Sequence, residues 1–162
     1  MKKFRIYIDT SVLNFLFADD SPDFKRITVD FFAEHAQKYD LFTSEILLVE
    51  VSRTPDAARR QKLFAALHQQ PITMLPGEPA AEIEALADSY ITQGIIPPTK
   101  REDALHVAHA TVHEMDILLS WNFKHLANVR REAMIVAFNR QQGYWHSLRL
   151  LSPLEVEDEN QS

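Results

Sequence analysis

Five short apolar runs, separated by segments with helix start and stop signals, constrain the fold of this chain most. The runs are Phe4-Arg5-Ile6-Tyr7-Ile8, Leu41-Phe42-Thr43, Ile72-Thr73-Met74-Leu75, Ile117-Leu118-Leu119 and Leu148 to Leu151. Each is too short for a helix and is bounded by polar or turn-forming residues, the pattern of a strand. Ile117-Leu118-Leu119 has no polar alternation, which suits a strand covered on both faces. The intervening segments read as helices. Ser21-Pro22 places a cap before a proline at the first helical position, Ser44 can cap the helix that follows it, and Thr54-Pro55 repeats the first signal before a helix through Leu67. A helix over 79–92 buries Ile83, Leu86, Ala87 and Tyr90 on one face. Thr99-Lys100-Arg101-Glu102 has the form of a capping box and opens a helix to about Glu114. One or two helices run from Asn122 to about Gln142, and Gly143 closes them. This alternation predicts an α/β domain: a three-layer α/β/α sandwich around a mainly parallel sheet of four to five strands.

Composition narrows the chemistry. With 162 residues, 46% hydrophobic and 25% charged, residues 1–154 read as one globular domain and 155–162 as a frayed acidic tail. The absence of cysteine excludes disulfide scaffolds, thiolate zinc sites and cysteine nucleophiles. The three glycines form no dinucleotide or P-loop motif. No apolar run reaches a membrane span, and Asp9 interrupts what would be a signal peptide, so a cytoplasmic location is expected. No nucleophile elbow is present, and Ser11 stands where a phosphatase forming an aspartyl-phosphate would carry its second aspartate.

Parallel α/β sheets bind ligands beyond the carboxyl ends of their strands. The first strand delivers Asp9, Thr10 and Ser11 there, and the second delivers Ser44, with Glu50 about two turns into the next helix. The helix before the fourth strand starts with Asp103, which falls at the edge of the apolar arc Ala104, Val107, Ala108, Thr111. The fourth strand delivers Ser120-Trp121-Asn122. Three carboxylates and a carboxamide thus converge from four segments. Carboxylates about 5 Å apart repel by about 3 kcal/mol per pair at an effective dielectric of ~20, so the cluster must protonate or hold cations. An all-oxygen donor set suits Mg²⁺ or Mn²⁺, and the chemistry that follows is metal-dependent phosphodiester hydrolysis.

Other features read more simply. His106, His109 and His113 are expected on a solvated helix face, although a zinc site is conceivable at this spacing. Trp121 is expected to pack under the last helix rather than stack on a base. Asp116 precedes its strand and belongs to the opposite sheet edge. Residues 121–150 carry five Lys or Arg against one acid, in an otherwise acidic chain; Lys124, Arg130 and Arg131 lead this basic stretch, which is either a solvated face or a phosphate-contacting strip.

The set Ile8-Asp9-Thr10-Ser11-Val12, Ser44…Glu50, Glu102-Asp103-Ala104-Leu105-His106-Val107-Ala108-His109-Ala110 and Asp116 through Leu126 resembles the PIN-domain family, and within it the VapC-like ribonuclease toxins. Asn139…Gly143-Tyr144 and Ser152-Pro153-Leu154 are similar to one branch of that family. The resemblance implies a three-layer α/β/α fold and a Mg²⁺- or Mn²⁺-dependent nuclease acting on single-stranded RNA. By position, Asp9, Glu50 and Asp103 match the family's first three acids. Asp9 and Asp103 would be the main metal ligands, with Glu50 contacting a second metal or orienting water. Ser11 and Ser120 would orient the carboxylates, and Lys124, Arg130 and Arg131 would guide the RNA. The family's fourth acid follows the fourth strand; here Asn122 stands there, with an oxygen that can ligate but no charge. A toxin would carry a cognate antitoxin and form a homodimer. A housekeeping RNA-processing nuclease without an antitoxin fits the same residues. So does a non-catalytic module binding RNA or a protein, given Asn122.

Overall fold

The computed structural model describes residues 2–156. Its centre is a five-stranded sheet formed by β1 (Arg5–Ile8), β2 (Asp40–Thr43), β3 (Ile72–Met74), β4 (Ile117–Leu119) and β5 (Arg149–Leu151). All four pairings are parallel and the strand order is β3-β2-β1-β4-β5. The helices are α1 (Thr10–Phe15), α2 (Pro22–Asp30), α3 (Glu45–Ser52), α4 (Ala57–Gln69), α5 (Ala80–Thr92), α6 (Arg101–Val112) and α7 (Val129–Gln141). A π-helical turn, Phe31–His35, extends α2.

The sheet is covered on both faces, because its side chains alternate between two cores. Register pairs Ile6 with Ile117 and Tyr7 with Leu118. Tyr7, Leu118 and Leu150 therefore point into one core, with the apolar faces of α5, α6 and α7. Ile6, Ile8, Ile117, Leu119 and Leu151 point into the other, under α1 and α2. A third cluster, including Leu13, Leu47, Val51 and Leu63, joins α1, α3 and α4. Ile6, Tyr7 and Ile8 have no exposed surface, and full burial contributes about 1.5–3 kcal/mol for each large apolar side chain. Among the described residues no helix is long and apolar enough to cross a membrane.

The helix starts differ in detail from the cap signals. Ser44 accepts the Ile46 N–H and caps α3 as expected. Ser21 precedes Pro22 at the start of α2 but makes no side-chain cap bond. Asp56, not Thr54, caps α4, accepting the Ala58 and Arg59 N–H groups. The capping box does not form: Pro98–Lys100 makes a 3₁₀ turn into α6, and Glu102 pairs with Arg53 instead. The segment after β4 stays non-helical until Asn128 caps α7 by accepting the Arg131 N–H. Gly143 leaves α7 at φ 92°, a conformation glycine adopts without strain.

The expected frayed tail starts too early at residue 155. Val156 is fully buried, and the Glu155 carboxylate accepts the Ser152 N–H. The rest of that segment, 157–162, lies outside the described residues.

Candidate active site

The chain runs outward from β1 to β3 and then returns to build β4 and β5 on the other side of β1. This reversal opens a crevice beyond the carboxyl ends of β1 and β4, the place where such sheets bind ligands. A cleft of about 160 Å³ lies there, lined by Asp9, Thr10, Ser11, Asn14, Glu50, Asp103, His106 and Asn122. Its volume suits an ion and a phosphate group better than a large organic ligand. A larger cavity, about 350 Å³, borders residues at the amino ends of β2 and β3, Asp40 and Pro71 among them, away from these acids.

Each acid is presented by a different element. Asp9 follows β1 and caps α1; its Oδ1 accepts the Val12 N–H and, at 2.6 Å, the Ser11 hydroxyl. Ser11 Oγ also accepts the Trp121 N–H at 2.9 Å, which ties the end of β1 to the end of β4. Glu50 lies in α3, and Asp103 stands in the first turn of α6. Ser120 Oγ accepts the Asn122 N–H and lies 3.4 Å from Ser11 Oγ.

Asn122 faces the cleft with its amide nitrogen. Its Oδ1 accepts the His125 N–H at 3.0 Å, and its Nδ2 donates to Asp103 Oδ2 at 3.2 Å. The flipped amide would oppose an N–H to an N–H and an oxygen to a carboxylate, so the network fixes the orientation. Asn122 thus offers the acids a donor, while its oxygen, which could have ligated, is taken by the His125 N–H.

The charge in the cleft is only partly compensated. Burial, then the charge of Asp9, pushes the Asp103 carboxyl up to about 6. Burial also raises Asp9, against the opposing pull of His106 and its hydroxyl donors. For Glu50 burial acts the same way, but the His106 hydrogen bond and charge outweigh it and hold the carboxyl below its usual range. Burial lowers His106, yet Glu50, Asp9 and Asp103 together hold the imidazole above its usual range. Among the described residues, no three acid or histidine side chains already stand in the geometry of a metal site. The carboxylates instead take hydroxyl, amide and imidazole donors from the protein.

The structure corrects the reading of the histidines. His106 and His109 are 1% and 2% exposed, not solvated. His106 Nε2 lies 2.5 Å from Glu50 Oε1. His109 stacks on His113, and burial lowers its pKa to about 4. The signal for His106 was its position one turn after Asp103, on the helix edge that turns the acid toward the sheet. Thr10 also lines the cleft, from the strand end where the sequence places it, and so does Asn14, which the sequence did not single out. Trp121 packs away from the last helix: its ring stacks on Phe24 at 4.5 Å, and its indole N–H donates to Thr28 at 2.8 Å. Asp116 lies at the opposite edge, accepting the Arg5 N–H. Lys124 and Arg130 are exposed and Arg131 is half-buried, on the loop after Asn122 and the first turn of α7.

A family model described as the PIN domain matches residues 6–131. The fold is similar to that of solved toxin–antitoxin proteins. VapBC2 from Rickettsia felis, solved with a promoter DNA fragment, aligns with a TM-score of 0.55 at 17% identity, covering 92% of this chain and 98% of that one. VapBC-1 from nontypeable Haemophilus influenzae aligns with a TM-score of 0.57 at 15% identity, covering 93% and 99%. FitAB bound to a DNA fragment aligns with a TM-score of 0.52 at 18% identity, covering 91% and 94%. No curated protein matches the chain at a significant level. At these identities the structural likeness carries the fold alone; the matched segment, which runs from β1 through Asp103 to the start of α7, carries the family, and the chain belongs to the PIN domain family.

Proposed function

We propose that this chain is a Mg²⁺- or Mn²⁺-dependent ribonuclease that hydrolyses phosphodiester bonds of single-stranded RNA. The observation that carries the reading is the convergence of Asp9, Glu50 and Asp103 on one cleft, where Asp103 is raised to about 6 by burial and by Asp9. Clustered carboxylates without enough protein cations call for a cation from solution. The all-oxygen donors fit a hard divalent ion, with Asp9 and Asp103 as its holders and Glu50 beside them. When bound, such an ion neutralises charge developing on the phosphodiester and lowers the pKa of water.

The protein's own groups prepare the cleft. Ser11 fixes the Asp9 carboxylate, and Asn122 fixes Asp103 by donating to one oxygen, leaving the other open. Thr10 and His106 hold Glu50. Lys124, Arg130 and Arg131 follow Asn122 in the chain, on the loop after β4 and the first turn of α7, and would contact the phosphates of a bound strand. The named structural neighbours are toxin–antitoxin proteins, which supports a toxin role with a cognate antitoxin; a second copy of the chain as a partner rests on the family resemblance alone.

The test is cleavage of mixed-sequence single-stranded RNA with Mn²⁺, with Mg²⁺ and with chelator. Cleavage is expected with either metal and not with chelator, and Asp103→Asn is expected to lower the rate by about 10²-fold or more. RNA that binds but stays intact with both metals would favour the non-catalytic binding module.

A further inference from the structure

Glu50 is held differently from the other two acids. Its Oε1 lies 2.5 Å from His106 Nε2 and accepts the Thr10 hydroxyl at 2.8 Å, so both bonds fall on one oxygen. The imidazole is tethered at its other nitrogen as well. Nδ1 lies 2.6 Å from the Tyr7 hydroxyl, which lies 2.6 Å from Ser44 Oγ. Tyr7, Ser44 and His106 are all buried. They come from β1, from the cap of α3 and from α6, so the ring cannot turn without breaking buried bonds to two other elements.

Nε2–H donates to Glu50. Nδ1 either accepts the Tyr7 O–H, with the Ser44 O–H donating to the Tyr7 oxygen, or, in the imidazolium, donates to that oxygen while the Tyr7 O–H donates to Ser44. Ser44 Oγ still accepts the Ile46 N–H. An ion ligated by this Glu50 oxygen would displace both donors and strand a buried N–H, at a desolvation cost, so Glu50 has only its other oxygen to offer an ion. Across the cleft Asn122 presents an NH₂ group, where a second ion would need an oxygen.

We propose, resting on the reading of the cleft as a divalent-cation site, that His106 is a positioning residue that takes up one Glu50 oxygen, so that Glu50 adds little to cation binding and the cleft takes one ion, on Asp9 and Asp103.

Counting free Mn²⁺ by electron paramagnetic resonance tests this, with thermal unfolding recorded for every variant. Wild type is expected to bind one Mn²⁺ per chain. Glu50→Gln is expected to weaken binding by less than about tenfold, against about a hundredfold or more for Asp9→Asn. His106→Asn keeps a polar atom toward Tyr7 but does not reach Glu50; it is expected to tighten Mn²⁺ at least about fivefold or to add a second ion. His106→Gln, whose amide reaches where Nε2 stood, is expected to restore wild-type binding, which a merely structural role would not require. Two ions in wild type, or a loss in Glu50→Gln as large as in Asp9→Asn, would overturn the inference and leave the cation reading standing. A folded His106→Asn with unchanged binding would overturn it too. Wild type that binds no Mn²⁺ at millimolar concentration would overturn both.

Discussion

Asp103 shows at the scale of one residue what gathering the acids in one cleft costs in stability. Its carboxyl is raised to about 6, by burial first and the Asp9 charge second. A carboxyl whose pKa is higher in the folded than in the unfolded chain favours folding below the unfolded value, and that contribution is lost as pH rises through the folded value. Asp103→Asn removes the ionisation. Without added metal, the melting temperature of Asp103→Asn is therefore expected to gain on wild type as pH rises from about 4 to about 7. A cation competes with the same proton, so the apparent Mn²⁺ affinity of wild type is expected to fall about tenfold per pH unit below about 6. Calorimetry at several pH values checks this; a pH-independent affinity would remove Asp103 from the ligands. The acid itself was readable from the sequence, because Asp103 sits at the edge of an apolar arc and at a helix start. His106 was not, since a histidine beside that arc fits solvent as well as burial until the Tyr7 and Glu50 partners are in place. For Asn122 the sequence marks the position, but only the His125 N–H decides which end of the amide faces Asp103.

At the scale of elements, a buried aromatic contact fixes how α2 meets the end of β4. Trp121 is 5% exposed, stacks on Phe24 and donates to Thr28, which is fully buried. Thr28→Val keeps the shape and removes the acceptor, leaving the indole N–H unpaired. Its expected cost is about 1–3 kcal/mol in chemical denaturation; an unchanged midpoint would mean that water replaces the bond. The strands were readable from the sequence because each is a short apolar run bounded by polar or turn residues, even the edge strand β3, which is largely exposed, and the observed bounds differ from the expected ones by a residue or so. Helix starts were less so. Thr54 and Asp56 are both good caps two residues apart, and only the course of the chain after Pro55 chooses between them. Thr99 and Glu102 have the capping-box spacing, but Arg53 from α3 takes the glutamate. Cap chemistry is local, whereas these choices are made by tertiary partners.

For the whole molecule, the reversal of strand order at β1 and β4 places acids from β1, α3 and α6 in one crevice and brings the basic loop after β4 to its edge. Among the described residues, Lys124, Arg130 and Arg131 form no ion pair with an acid. In a chain of net charge −6, cations without acid partners are where a polyanion would be attracted, and the proposed function assigns them to the RNA strand. Replacing all three by glutamine is expected to weaken single-stranded RNA binding and to make its dependence on log salt shallower by about 2, at about 0.7 for each lost phosphate contact. A slope equal to that of wild type would place the strand elsewhere. The central claim, that the crevice is a divalent-cation site built on Asp9 and Asp103, has a more direct test that needs no knowledge of the RNA. It is a calorimetric titration of Mn²⁺ into the metal-free wild-type protein and into Asp9→Asn at neutral pH. Saturable binding by wild type that disappears in the variant is the expected result; no saturable binding by wild type at millimolar Mn²⁺, or equal binding by both proteins, would contradict it.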